Sequence, residues 1–211
     1  MTTQYEIGAD EVGLGSLAGP LCVAAVMAPV GAPPVAGWGD SKKLSSKKRQ
    51  AVVEALRQSG YFMVTASISP AAIDSGGVRA ALCKAYEQVM ADLLLLGLPV
   101  AKIVIDGDPM PLSFGDIPTA YLPKGDGIEW RIGAASCLAK EHRDAYMVGL
   151  AESHSAYMWE KNKGYGSKQH VAAIEAYGLT EHHRRTFCKR FSVGALQLNT
   201  EPELDVLDLF K

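Results

Sequence analysis

Apolar and polar positions along this chain follow two alternating periods. Tyr5 to Asp10 is an apolar segment that ends on acids and runs into Gly13-Leu14-Gly15-Ser16, the pattern of a strand feeding a tight loop. Leu21 to Met27 is continuously apolar and contains two valines, which predicts a strand buried on both faces. Residues 28 to 39 are rich in Pro and Gly and read as a loop. Ser45 or Ser46 caps a helix running to about Gln58, with Val52, Val53 and Leu56 on one face and Gly60 as its stop. Tyr61 to Ser69 alternates as a strand, and Val78 to Leu96 has a helical period closed by Gly97. Lys102 to Asp106 is a short apolar strand ending in an acid, and Thr119 to Leu122 is a weaker one. Ile128 to Glu152 is helical, and Val171 to Tyr177 is a shorter helix. Strands alternating with helices predict an α/β class with a mixed sheet, antiparallel in its early strands.

Composition sets the scale. The 211 residues, 48% of them hydrophobic, suit one domain with a sizeable core, taken as residues 1–198, followed by an acidic tail at 199–211. The longest apolar run, around Leu93 to Leu98, is far too short to cross a bilayer, and Met1 to Glu6 has no basic region leading into an apolar stretch. A cytoplasmic protein without membrane contact, monomeric, is therefore expected. Cys22, Cys83, Cys137 and Cys188 are scattered without a C-x-x-C pair, as reduced thiols would be. The net charge of −2 argues at first against a nucleic-acid partner. The tail alone carries −3, however, so the other 198 residues stand at +1, and at +5 once four carboxylates are occupied by cations.

The candidate chemistry lies in the acids. Asp10 and Glu11 adjoin at the end of an apolar strand, and in a regular strand their side chains would point to opposite faces. Glu11 is expected to reach Asp10's site only where the strand is ending, helped by the glycines that follow, or to bind partly through its backbone carbonyl. Taken alone the pair reads as an ordinary solvated strand end. Ile103-Val104-Ile105-Asp106-Gly107 repeats the arrangement, and Lys124-Gly125-Asp126 places a further acid just ahead of a helix. If the strands ending in Asp10 and Asp106 are sheet neighbours, these acids meet where ligand sites of α/β sheets gather. Four carboxylates without a Cys or His set suit Mg²⁺ or Mn²⁺ rather than zinc. Two such ions, roughly 3.5–4 Å apart, activate a water and stabilise the leaving oxygen in phosphodiester hydrolysis.

With the segments around it, the run from Gly8 to Val26 resembles the signature of the type 2 ribonucleases H, closest to bacterial ribonuclease HII. Further blocks follow in that family's order: Asp40-Ser41-Lys42-Lys43-Leu44-Ser45, Ile105-Asp106-Gly107, Lys124-Gly125-Asp126, Ala134 to Lys140 with Arg143 and Asp144, Lys163-Gly164-Tyr165-Gly166-Ser167 with His170, and His183 to Phe187. The resemblance spans roughly residues 5 to 190. It implies an RNase H-like fold with a mixed central sheet and a helical C-terminal part. It also implies hydrolysis of the RNA strand of RNA–DNA hybrids, or of DNA duplexes containing ribonucleotides, leaving a 5′-phosphate and a 3′-hydroxyl. By this resemblance Asp10, Glu11, Asp106 and Asp126 are the catalytic acids and metal ligands, with Mg²⁺ or Mn²⁺ as cofactor. Gly13, Leu14 and Gly15 form the ribose-reading loop, Tyr165 stacks at the junction sugar, and Lys42 contacts a phosphate. Ser136, Lys140 and Arg184 match positions near the nucleic-acid backbone.

The chain departs from that pattern in its loop, where Leu14 stands in place of arginine and Ser16 in place of proline. Leucine offers no donors where arginine offers five, which weakens the expected incision at a single embedded ribonucleotide. Val12 and the non-arginine loop also resemble ribonuclease HIII, for whose extra N-terminal domain this chain has no room. Two basic clusters, Lys42, Lys43, Lys47, Lys48, Arg49 and His182, His183, Arg184, Arg185, are either solvated faces or phosphate contacts. His170 is as readily structural as catalytic, and Trp38 and Trp159 read as packing residues. Val206-Leu207-Asp208-Leu209-Phe210 is similar to the short peptide by which bacterial replication proteins bind the sliding clamp, with Val206 in place of Gln; a helix packed on the core is the other reading. A non-catalytic hybrid-binding module and another carboxylate nuclease, such as a junction resolvase, are the competing functions.

Overall fold

The computed structural model describes residues 2–191; the tail and its Val206–Phe210 motif lie outside them. Five strands form one sheet in the order β3-β2-β1-β4-β5. They are β1 Tyr5–Val12, β2 Leu21–Pro29, β3 Phe62–Ile68, β4 Val100–Asp106 and β5 Thr119–Leu122. The first three pair antiparallel, while β1, β4 and β5 run parallel. The sheet is therefore mixed, with its antiparallel half formed by the early strands, as the sequence predicts.

Seven helices are described: α1 Ser46–Ser59, α2 Pro70–Gly76, α3 Val78–Leu94, α4 Trp130–Ser153, α5 Trp159–Asn162, α6 Lys168–Tyr177 and α7 Arg185–Cys188. α1 is bounded as its sequence dictates: Ser45 Oγ accepts from the Lys48 amide, and Gly60 closes the helix in the left-handed region at φ 74°. The unbroken burial of β2 follows from its position inside the sheet with both faces covered. On one face Ile7, Ala9, Val23 and Ala25 pack with Tyr86, Val89 and Met90 of α3. On the other, Ala24, Val26 and Ala28 pack with α1 and the first half of α4. A third cluster, around Leu17, Met147, Tyr157 and Trp159, joins the far end of α4 to the helical C-terminal part. Gly8 permits the close seating of α4 on β1, because a Cβ there would lie 2.5 Å from Arg131 Cβ and 2.6 Å from the Ile132 amide nitrogen.

The structure differs from the sequence reading in its short elements. α2 precedes α3 and is separated from it by Gly77 at φ 82°. α5 and α7 are single turns that no periodicity announced. β1 continues two residues beyond Asp10, through Glu11 and Val12, because β2 still pairs with it there. No described helix is long and apolar enough to cross a membrane. All four cysteines are free thiols.

Candidate active site

β1 and β4 are parallel neighbours whose pairing ends at Ala9↔Ile105. Asp10 and Glu11 on one strand and Asp106 on the other thus lie at the same edge of the sheet. The expected departure of Glu11 from the strand does not occur. Its side chain remains on the face opposite Asp10, where Tyr86 of α3 donates its hydroxyl to Glu11 Oε2 at 2.7 Å. Glu11 still belongs to the same electrostatic site, because its charge acts on Asp10 and that of Asp106 acts on it. Asp10 faces α4 and is 5% exposed; its Oδ1 accepts from the Glu11 amide at 2.7 Å. Burial, and then the charges of Glu11 and Asp106, push its carboxyl up to about 8, against a lowering hydrogen bond from Ser136. Burial also raises Glu11, opposed by the Tyr86 hydroxyl and by Lys42.

Asp106 Oδ1 accepts from the Gly125 amide at 2.6 Å, and this contact draws in the segment that carries the fourth acid. Lys124, held at φ 60°, turns the chain into the short helical turn Gly125–Gly127 that presents Asp126. Asp126 is raised by burial and by Asp40 and Asp106, while Lys42 lowers it. Asp106 thus acts on all three other acids, and Lys42 opposes the rise at Glu11 and Asp126. That donor set is all oxygen, the class hard divalent ions prefer; no three of these carboxylates have their oxygens within 4.8 Å of one another, so an ion bound there would draw them together. Asp40, Lys42, Lys43, Asp106, Lys124, Asp126 and Gly127 line an open cavity of about 370 Å³ beside it.

The loop after the acids is held from below. Gly13 lies at φ 85°, with the Arg143 side chain under it. Ser16, fully buried, donates to Gly13 O at 3.0 Å and accepts from Arg143 Nη2 at 2.9 Å. Arg184 Nη1 donates to Leu14 O at 3.0 Å. With the Gly13 and Leu14 carbonyls directed inward, planar trans peptides turn the Leu14 and Gly15 amides outward. Leu14 itself is exposed at 41%, and Gly15 has nothing within 4 Å of where a Cβ would stand. Tyr165, 37% exposed, has the Arg143 guanidinium 5.2 Å and Lys140 Nζ 5.7 Å from its ring centroid.

The structure separates the basic residues into two groups. Lys42 and Lys43 are exposed beside Asp126, with Lys43 paired to Asp40 at 3.0 Å. Arg49, by contrast, is buried: it pairs with Glu141 at 2.7 Å and donates to the Ser41 and Leu44 carbonyls, so it fixes the Asp-Ser-Lys segment rather than facing a phosphate. Arg184 is likewise fully buried beneath the loop and donates to Gly19 O at 3.1 Å, while His183 is 1% exposed. Lys140 is partly buried and tied to Asp144 at 2.6 Å. Ser136 is 4% exposed and shares a 2.7 Å hydrogen bond with Ser41, linking Asp10's surroundings to the Asp-Ser-Lys segment. His170 is buried; its Nδ1 lies 3.0 Å from Tyr165 O and its Nε2 accepts from Trp159 Nε1 at 3.0 Å. Trp159 is fully buried in the core, and Trp38 packs against the cluster beneath α1.

Three supporting residues carry no distinguishing mark in the sequence. Tyr86 lies within a helix whose period explains it as core. Arg143 was visible only as part of a block, although it donates to Pro20 O, Lys163 O, Ser16 Oγ and Ala18 O. Asp40 gave no sign that its carboxylate faces Asp126.

The chain matches the protein family described as Ribonuclease HII over residues 7–192. A Ribonuclease HII of Neisseria meningitidis serogroup B is 41% identical over 180 residues, 85% of this chain and 90% of that protein. Among solved structures, the ribonuclease HII from Archaeoglobus fulgidus, determined in complex with PCNA, superposes with TM-score 0.69 at 20% identity, covering 88% of this chain and 94% of that one. A Bst-RNase HIII in complex with Mn²⁺ superposes with TM-score 0.63 at 17% identity, covering 88% and 65% respectively.

Proposed function

The chain belongs to the ribonuclease HII family, and from that premise we propose that it is a divalent-metal endonuclease that hydrolyses the RNA strand of RNA–DNA hybrids, leaving 5′-phosphate and 3′-hydroxyl ends. The observation that carries this reading is the meeting of Asp10 and Glu11 at the end of β1 with Asp106 at the end of its parallel neighbour β4, to which the Gly125 amide ties the segment carrying Asp126. An acidic cluster of oxygen donors suits hard divalent cations. Asp10, Glu11, Asp106 and Asp126 would hold two Mg²⁺ or Mn²⁺ ions, in keeping with the Mn²⁺ complex of the structurally similar ribonuclease HIII. When bound, the ions supply activation of water and stabilisation of the leaving 3′-oxygen.

The chain's own residues position and select. Tyr86 fixes one oxygen of Glu11 and the Gly125 amide fixes one of Asp106, so neither carboxylate has to be ordered during the reaction. The outward amides of Leu14 and Gly15 donate to a ribose 2′-hydroxyl, the group that distinguishes RNA from DNA. Tyr165 offers an exposed ring face for the sugar at the junction, held by the cations behind it. Lys42 lies on the cavity wall to take a phosphate. Arg184 supports the loop from beneath.

Leu14 sets the substrate preference. Its exposed apolar side chain adds no phosphate contact at the loop tip, so runs of ribonucleotides are cut well and a single embedded ribonucleotide poorly. The test compares cleavage of both duplexes by the wild type, Leu14→Arg and Asp10→Asn with Mg²⁺ or Mn²⁺. Asp10→Asn should abolish cleavage, and Leu14→Arg should raise incision at the single ribonucleotide. Hybrid binding without cleavage by the wild type would favour a binding module instead. Efficient wild-type incision at the single ribonucleotide, unchanged by Leu14→Arg, would remove the role given to Leu14. The Val206–Phe210 segment would bind a sliding clamp, a reading supported by the PCNA complex of the Archaeoglobus protein. Clamp capture by the full chain but not by one lacking residues 204–211 tests it.

A further inference from the structure

At the opposite end of α4 from the acids, His154, Glu181 and His182 place one ligand atom each within 4.8 Å of one another. The His182 Nε2–Glu181 Oε1 separation is 3.3 Å. Two ligands on one tetrahedral zinc, each at about 2.0–2.2 Å, stand about 3.3–3.6 Å apart. The two imidazoles meet edge to face, their centroids 5.0 Å apart. Both stand against the buried indole of Trp159, at 5.2 and 6.0 Å, which restricts how far either ring can turn.

The surroundings also suit metal ligation. His154 Nδ1 lies 3.2 Å from Leu150 O and 2.9 Å from Ser153 Oγ; in the tautomer that donates from Nδ1 to the carbonyl, Nε2 would be the ligating nitrogen. A backbone carbonyl on the distal nitrogen is the usual way a ligating histidine is oriented. The His182 backbone is fixed on both sides: its amide donates to Thr180 Oγ1 and its carbonyl accepts from Gly19. Glu181 and His182 retain 48% and 22% side-chain exposure, which leaves an entry path and room for a water as fourth ligand.

We propose that His154, Glu181 and His182 form a second metal site, separate from the four carboxylates, that takes a transition ion of the zinc class. Two imidazoles and one carboxylate suit that ion, whereas Mg²⁺ demands an oxygen octahedron. The site would join the end of α4 to the segment of residues 181–184. That segment pairs with Ala18 and carries Arg184, whose guanidinium supports Leu14 O. The ion would therefore stiffen the support beneath the substrate loop without contacting the reaction.

The test titrates the full chain with Zn²⁺ by calorimetry in a large excess of Mg²⁺, which occupies the oxygen-only acids. Co²⁺ absorption gives a second readout, because tetrahedral nitrogen-containing sites absorb far more intensely than octahedral oxygen ones. One equivalent of Zn²⁺ should bind and raise the melting temperature by several degrees. His154→Gln, Glu181→Gln and His182→Gln should each weaken that binding at least tenfold, while Asp10→Asn retains it. With chelator removing zinc and Mg²⁺ restored, His154→Gln should cleave hybrid as the wild type does. If His182→Gln does not fold, the other two single variants decide the matter. Absence of zinc uptake by the wild type, or equal affinity in His154→Gln and Glu181→Gln, would overturn the site.

Discussion

At the scale of single residues, the balance between burial and charge governs behaviour. Asp10 is ordinarily a group of pKa 3.8 and is raised to about 8, so the metal-free fold favours its neutral form. That contribution is complete below about pH 4 and is lost as pH rises through about 8. The metal-free protein should therefore melt at progressively lower temperature over that range. Asp10→Asn should stabilise the metal-free protein at pH 8 by about 2 kcal/mol, a fraction of the 1.36 kcal/mol per pKa unit available, while ending cleavage. Thermal melts in chelator at pH 5 and pH 8 check both the sign and the size. Tyr86 makes the complementary case, since its hydroxyl is the buried partner of Glu11 Oε2 at 2.7 Å. Tyr86→Phe removes a hydrogen bond to a charged group, worth about 1.5–3 kcal/mol. It should raise the Mn²⁺ concentration needed for half-maximal cleavage by about tenfold, as a metal titration would show, and lower the melting temperature of the metal-free protein by several degrees.

At the scale of elements, local pattern and tertiary support divide the work. α1 was legible from end to end because its serine cap, apolar face and closing glycine are all local. α7 was not, because its first amides are capped from α2: Asp74 accepts from the Arg185 and Thr186 amides at 2.7 and 3.0 Å. A single turn held by a carboxylate more than a hundred residues away leaves no periodic trace. The same division applies to the loop after the acids. Its glycines were visible, but its rigidity comes from Arg143 and Ser16. The departure from proline at position 16 acquires a physical account here, since Ser16 supplies a hydroxyl that links the turn to Arg143. Gly13→Ala would set a Cβ against Arg143 Cδ at 2.8 Å and Pro20 O at 2.9 Å, at a backbone φ of 85° that resists side chains. It should cost about 2–3 kcal/mol of stability, whereas Gly15→Ala, where the fold leaves open space, should cost little stability and act on cleavage alone. Denaturation curves and hybrid cleavage of the two variants make the comparison.

At the scale of the whole molecule, the question is which charges remain for a polyanion. Arg49, Arg131, Arg143 and Arg184 are all buried. The exposed lysines around the acids therefore carry the electrostatic attraction to nucleic acid. Lys42→Ala should weaken hybrid binding across sequences and lower the slope of log K against log salt by about 1, the share of one phosphate contact. Affinity measured across a salt series decides this, and an unchanged slope would remove Lys42 from the interface. The sequence by itself determined the class, the sheet's antiparallel beginning and the caps of α1, and it marked four acids within ordered blocks as the candidate site, because each of these is written in local period or in residue type. Only the tertiary structure decided that Asp10 and Glu11 lie on opposite faces of one strand, that Tyr86 holds the second of them, and that Arg49 and Arg184 are structural cations. Those outcomes depend on which distant segments meet. Burial and hydrogen-bond partnership belong to that meeting, and no window of neighbouring residues contains them.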